Sequence, residues 1–188
     1  SSLINLTGVT YAICNTGPLI SAFQSNSFEL LTQIFTEIQI STACQTELIR
    51  HGWETEVHAA FPQLVIVKLT ALEEQQAWSV AQQIAGHLQT KEPVVENHLG
   101  EAQAIVLAQR PEHKNNPLLL DELAARALAK QMNLKLSGFP GVLLLAVQLG
   151  LISAEELKAR LGHCRAQGTH YSITFIQQVY EMAKLGPR

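Results

Sequence analysis

With 188 residues, 47% of them hydrophobic and 15% charged, the chain has the composition of one folded domain with a sizeable core, and disorder is excluded. A net charge of −3 gives no overall basic field of the kind that announces nucleic acid, although a local basic patch beside a metal would serve. The longest uninterrupted apolar run, Val142 to Val147, falls far short of the ~20 residues of a membrane span, and no basic-then-apolar signal opens the chain, so a cytoplasmic protein with no membrane partner is expected.

In chain order, the apolar run Tyr11-Ala12-Ile13-Cys14 ends abruptly on Asn15, and Gly17-Pro18 breaks the extended chain. Proline suits the first turn of a helix, where its missing N–H is not needed. A buried strand, a tight turn and a helix carrying Leu19, Ile20 and Phe23 are predicted. Asn26, with Glu29 three residues on, caps a second helix whose apolar face is Phe28, Leu31, Ile34 and Phe35. Glu37 to Ile40 alternates with period two, a strand pattern. Thr42 with Gln45 caps the next helix, which carries Glu47 near that strand's C-terminal end. Leu64 to Leu69 reads as extended. Thr70 and Glu73 form a capping box for a helix running to about His87.

From Leu88 to His98 the pattern dissolves into a polar loop that delivers Gly100-Glu101 to a helix start, with Ala102, Ile105 and Val106 buried. Pro117 to Asp121 repeats the opening grammar of apolar strand, acidic end and helix, the inner face being Leu123, Ala124, Ala127 and Leu128. Leu134-Lys135-Leu136 is a last short strand and Ser137-Gly138 its turn. Val142 to Val147, apolar all round, predicts a helix buried on most sides. Ser153 with Glu156 caps another helix, and Ile173, Ile176, Tyr180 and Ala183 stripe the last. Strands alternating with helices predict an α/β fold with a mostly parallel sheet. The chain reads as a single domain over 1–188, with the C-terminal helices from about 153 packing on it. The apolar surplus around 19–35 and 139–152 suggests a homodimer.

In an open parallel sheet the C-terminal ends of the strands face the functional crevice. Asn15, Glu47, Glu101 and Asp121 can meet there. Clustered carboxylates repel one another unless a cation neutralises them, and hard oxygen donors without a His or Cys set select Mg²⁺ or Mn²⁺ over zinc. Such an ion activates water and stabilises charge developing on a phosphodiester. Acidic residues near helix N-termini, Glu101 and Glu122 among them, also favour the helix dipole whatever the function.

The segment Ile13-Cys14-Asn15-Thr16-Gly17-Pro18-Leu19-Ile20 resembles the opening of PIN domains, where a strand ends in Asp followed by Thr or Ser. Thr42 to Leu48 resembles the segment carrying that family's helical Glu, and Gly100-Glu101-Ala102-Gln103-Ala104-Ile105 its Gly-Glu-Ala helix start. Leu118 to Arg126 resembles the strand-Asp-Asp-x-x-Ala-Arg segment of a bacterial and archaeal branch, and Ser137 to Ala146, then Gly150-Leu151-Ile152, resembles that branch's ending. The resemblance implies a three-layer α/β/α fold and a Mg²⁺- or Mn²⁺-dependent ribonuclease acting on single-stranded RNA. Members are often dimeric, and often the toxin of a toxin–antitoxin pair. It implies Asn15, Glu47, Glu101 and Asp121 as metal-site positions, the last three also catalytic. Thr16, Glu122 and Arg126 take supporting places. Asn15 departs from the family's Asp and brings no charge, so the alternative is a catalytically degenerate module that binds RNA or protein.

Other chemistry finds little footing. The seven histidines show no H-E-x-x-H spacing, and His98 near Glu101 reads as a solvated loop residue. The three cysteines, Cys14, Cys44 and Cys164, form no C-x-x-C pair; Cys14 and Cys44 are buried thiols of a reduced compartment. There is no glycine-rich nucleotide loop and no G-x-S-x-G elbow. Trp53 and Phe61 are expected to pack rather than to stack bases. Asn5-Leu6-Thr7 has the form of a glycosylation sequon, which means nothing in a cytoplasmic chain.

Overall fold

A computed structural model describes residues 11–186; the Asn5-Leu6-Thr7 sequon lies outside them. The five strands of its sheet are β1 (Tyr11–Cys14), β2 (Glu37–Ser41), β3 (Leu64–Val67), β4 (Leu118–Leu119) and β5 (Leu136–Ser137). Every pairing is parallel, in the order β3-β2-β1-β4-β5. β1 is thus the centre, and the chain leaves it towards β2 on one side and returns as β4 on the other. This is the topological switch at which open α/β sheets place ligands.

Period-two alternation splits the strand residues between two cores. Ala12, Cys14, Ile38, Ile40 and Leu119 face one layer of helices, and Ile13, Leu118, Leu120 and Leu136 face the other. The first layer holds α1 (Thr16–Gln24), α2 (Phe28–Ile34), α3 (Thr42–Arg50), α4 (Glu54–Ala60), α8 (Phe139–Gln148), α9 (Ala154–Ala166) and α10 (Ile173–Lys184). The second holds α5 (Ala71–Ala85), α6 (Leu99–Ala108) and α7 (Leu123–Gln131). The result is a three-layer α/β/α fold with an all-parallel sheet. No helix among the described residues is long and apolar enough to cross a membrane. The apolar residues of 19–35 and 139–152 that suggest a homodimer are mostly buried within the chain itself, among them Leu19, Leu30, Phe35, Phe139 and Leu143.

Several local expectations need correcting. Ser27, not Asn26, stands at the N-terminus of α2; Asn26 adopts the left-handed conformation at φ +53°, and Arg160 Nη1 donates to its carbonyl and to Ser27 Oγ. Ser41, not Thr42, caps α3, accepting from the Cys44 N–H at 3.2 Å. Leu123 and Ile173 are exposed, 62% and 70%, and Ala125, Ala129 and Val179 take the inward positions instead. The fifth strand covers Leu136–Ser137 rather than starting at Leu134.

The Thr70–Glu73 capping box forms as expected, and Arg110 from beyond α6 adds to it, donating through Nε and Nη2 to the Glu73 carboxylate at 2.8 Å each. These bonds, Arg110's above all, hold the Glu73 carboxyl down at about 2. Because the folded value lies below the ordinary 4.5, this stabilisation is whole above that pH and is lost as pH falls towards about 2. Arg110→Ala is therefore expected to flatten the acid limb of a urea-midpoint-against-pH profile. Thr70→Ala costs about 1 kcal/mol at neutral pH as an ordinary cap loss. An unchanged acid limb in Arg110→Ala would sink the assignment.

Candidate metal centre at the strand ends

Asn15 follows β1 directly and takes an extended conformation as the residue before α1, yet its side chain makes no capping bond. Its N–H is committed to the Leu119 carbonyl at 3.0 Å, which ties it to β4, and the side chain is only 5% exposed. The carboxamide turns towards α3 and α6. The Cys44 thiol lies 3.5 Å from Asn15 Oδ1, as a donor, and equally far from the Gly100 carbonyl.

Gly100 makes this packing possible. A Cβ at that position would overlap Glu47 Oε1 and lie 3.0 Å from Glu47 Cδ and 3.3 Å from Asn15 Oδ1. The bare α-carbon is the space in which the Glu47 carboxylate and the Asn15 carbonyl sit side by side. Glu101, the next residue, lies in the first turn of α6. Burial pushes its carboxyl up to about 7, with the neighbouring Glu47 and Glu122 charges adding to the rise. Burial also raises Glu47, against the Thr16 hydroxyl, Arg50 and His51, which favour its ionised form. Thr16 Oγ1 further donates to the Cys44 carbonyl at 3.5 Å.

Asp121 follows β4 by two residues at the same sheet edge, but its carboxylate has other partners. The Phe139 N–H at the start of α8 donates to Oδ1 at 3.1 Å, and the Tyr171 hydroxyl donates to Oδ2 at 3.4 Å. Gly138 leaves room for it, since a Cβ there would overlap Asp121 Oδ1. Burial raises this carboxyl to about 6, opposed by the Phe139 N–H, the Arg126 charge and the Tyr171 hydroxyl. Arg126 itself donates through Nη1 to the Leu120 carbonyl at 2.6 Å. Glu122 caps α7, accepting from the Ala124 and Ala125 N–H groups at 3.2 and 2.6 Å.

The fold therefore brings Asn15 and Glu47 together at Gly100, with Glu101 the next residue and within the field of the Glu47 charge, and directs the Asp121 carboxylate at the start of α8. Two contributors escaped the sequence. Tyr171 precedes the last helix without any motif; it is 8% exposed and also meets Ser21 Oγ at 3.4 Å. His98 is not a solvated loop residue: it is 3% exposed, with Nε2 2.6 Å from the Glu92 carbonyl and Nδ1 buried with no partner among the described residues. The loop folds back through a 3-10 turn, Val95–His98, and carries the ring inside.

The donors around Gly100 are hard oxygens, two carboxylates and a carboxamide, which suit Mg²⁺ or Mn²⁺ in kind. A buried acid such as Glu101, raised by burial and by the Glu47 charge, is also in the state a divalent cation relieves. The charge count is low, because Asp121 is held elsewhere. Among the described residues no three His, Cys, Asp or Glu side chains converge closely enough to hold a metal ion.

No curated protein and no solved structure matches the chain. A family model described as a PIN domain (DUF3368) matches residues 11–185. PIN domains have a nuclease-like fold and generally use divalent metals, in keeping with strand-end acids at the switch of a parallel sheet. From β1 to the last helix, this chain belongs to the PIN-domain family.

Proposed function

We propose that the chain is a divalent-metal-dependent endoribonuclease acting on single-stranded RNA. The observation that carries this reading is the packing of Glu47 and Asn15 around Gly100, with Glu101 adjacent, at the C-terminal edge of the central strands in a PIN domain. Glu47, Glu101 and the Asn15 carbonyl would hold Mg²⁺ or Mn²⁺. That ion, when bound, supplies an activated water and neutralises charge developing on the phosphodiester. Thr16 and Cys44 act as positioning residues: the hydroxyl favours ionised Glu47, and the thiol orients the Asn15 carbonyl. Arg126 and Phe139 hold the β4 end and Asp121 in place.

A single-stranded RNA carrying a fluorophore and a quencher tests the reading, beside the matching DNA and duplex RNA, in Mn²⁺, Mg²⁺ or EDTA. Cleavage of the single-stranded RNA in metal alone, falling to background in Glu101→Gln, is the expected result. In the toxin form of this reading, expression arrests growth, Glu101→Gln relieves the arrest, and an antitoxin protein is the natural silencing partner.

Two observations favour a second reading, a module that binds RNA without cutting it. Asn15 brings no charge to the centre, and Asp121 is engaged by Phe139 and Tyr171. RNA retained in a filter or gel assay, uncut in every metal, would make this the better account.

A further inference from the structure

α3 continues past Glu47. Four residues later, about 6 Å along the helix axis, comes His51, whose N–H bonds the Glu47 carbonyl at 3.0 Å. Arg50, the residue before it, ends the helix and is exposed. Gly52 then takes φ +74°, a conformation open to glycine at little cost, and the chain reverses. The reversal lays Trp53 against His51, ring centroids 5.1 Å apart and planes 21° from parallel. Trp53 stacks in turn with Phe23 of α1, at 5.6 Å and 25°, and Phe28 meets Phe23 edge-on at 6.4 Å.

The inner members of this column are tied down, Phe28 in the core and Trp53 packed against it. The other end is open, since His51 is exposed. A run of near-parallel rings ending in solvent, next to Arg50 and one turn of α3 from Glu47, has the parts of a stacking position beside a phosphate contact.

We propose that the His51–Trp53–Phe23 column is a platform for a base of single-stranded nucleic acid, with the outer face of His51 receiving the base and Arg50 the adjoining phosphate. The proposal rests on the ribonuclease reading for its ligand. Charge favours a nucleic acid over a protein partner: the chain as a whole is acidic, at −3, whereas Arg50 sets a positive charge next to His51 at the open end of the column. A strand whose phosphodiester approached Glu47 would meet Arg50 within one turn of the same helix.

Fluorescence of Trp53 tests it, in a Trp78→Phe background that leaves one indole. Titrations in EDTA prevent cleavage, with a short oligoadenylate, an abasic oligomer of the same length and a tyrosine-rich peptide as probes. The oligoadenylate is expected to quench Trp53 and the other two to leave it unchanged. His51→Ala should weaken binding by about 5- to 150-fold, the range of one lost base–aromatic stack. His51→Phe should restore it and His51→Lys should not. Restoration by His51→Lys, equal quenching by the abasic oligomer, or no loss in His51→Ala would each overturn the platform. Quenching by the peptide but not by the oligoadenylate would overturn it in favour of a protein partner. Base-dependent quenching by a chain that cuts no RNA in Mn²⁺ would leave the platform standing and remove the ribonuclease reading. Cleavage in Mn²⁺ with unchanged KM in His51→Ala would do the reverse.

Discussion

Asn15→Asp is expected to bind Mn²⁺ on the order of ten- to a hundredfold more tightly than the parent chain, and to cleave single-stranded RNA faster in that ion. In EDTA the same variant is expected to melt at a lower temperature than the parent. Both effects come from one site. Asn15 is 5% exposed and shares the space beside Gly100 with Glu47, while the Glu101 carboxyl is already pushed up by burial and by the Glu47 charge. A third carboxylate without a cation adds repulsion in a partly dry pocket. With a cation it adds attraction, and the bound ion then stabilises the folded chain by mass action. Melting curves in the two buffers, with calorimetry for the ion, give the comparison. No gain in Mn²⁺ would mean that more than one charge is missing, Asp121's engagement with α8 being the physical reason, and the binding-module reading would take over.

Gly100→Ala is expected to separate activity from stability. The added methyl would overlap Glu47 Oε1, which is the far end of a flexible side chain and can swing away. Alanine is the better helix former, so stability should stay within about 1 kcal/mol of the parent. The carboxylate, however, loses its place beside Asn15 and Glu101. Displacing a catalytic group by an ångström costs on the order of 100-fold in rate, and cleavage should fall by that much. Thermal melting and the fluorescent cleavage assay on the same preparation decide it; full activity in Gly100→Ala would show that Glu47 takes no part.

The parts of the fold that were legible in the sequence are those decided locally. β1 with its abrupt polar end, the Thr70–Glu73 box and the Ser153 cap each depend on residues a few positions apart, and each formed. Asn26 and Ser27 show where local rules lose resolution. Asparagine is favoured both at helix caps and in the left-handed region, and here it takes the second role: Asn26 closes α1, its N–H bonding the Phe23 carbonyl while the Ser27 N–H bonds the Ala22 carbonyl. The candidate site divides the same way. Strand ends and helix starts marked which residues stand at the sheet edge, but not which way a carboxylate turns. Asp121 faces Phe139 and Tyr171, partners supplied from far along the chain. Burial of His98 likewise depends on a loop folding back, which its polar composition does not announce.

The strand order has a consequence for synthesis. β1 leaves the ribosome first but sits at the sheet's centre, and one of its edges stays unpaired until β4 emerges more than half the chain later. Long-range pairing of this kind is slow and leaves an exposed edge meanwhile. Asp121 then waits for Tyr171, 50 residues further on. A nascent polypeptide that has emerged only as far as α9 would thus carry the whole sheet while still lacking the Tyr171 partner of Asp121, so that maturation of the strand-end centre trails that of the sheet.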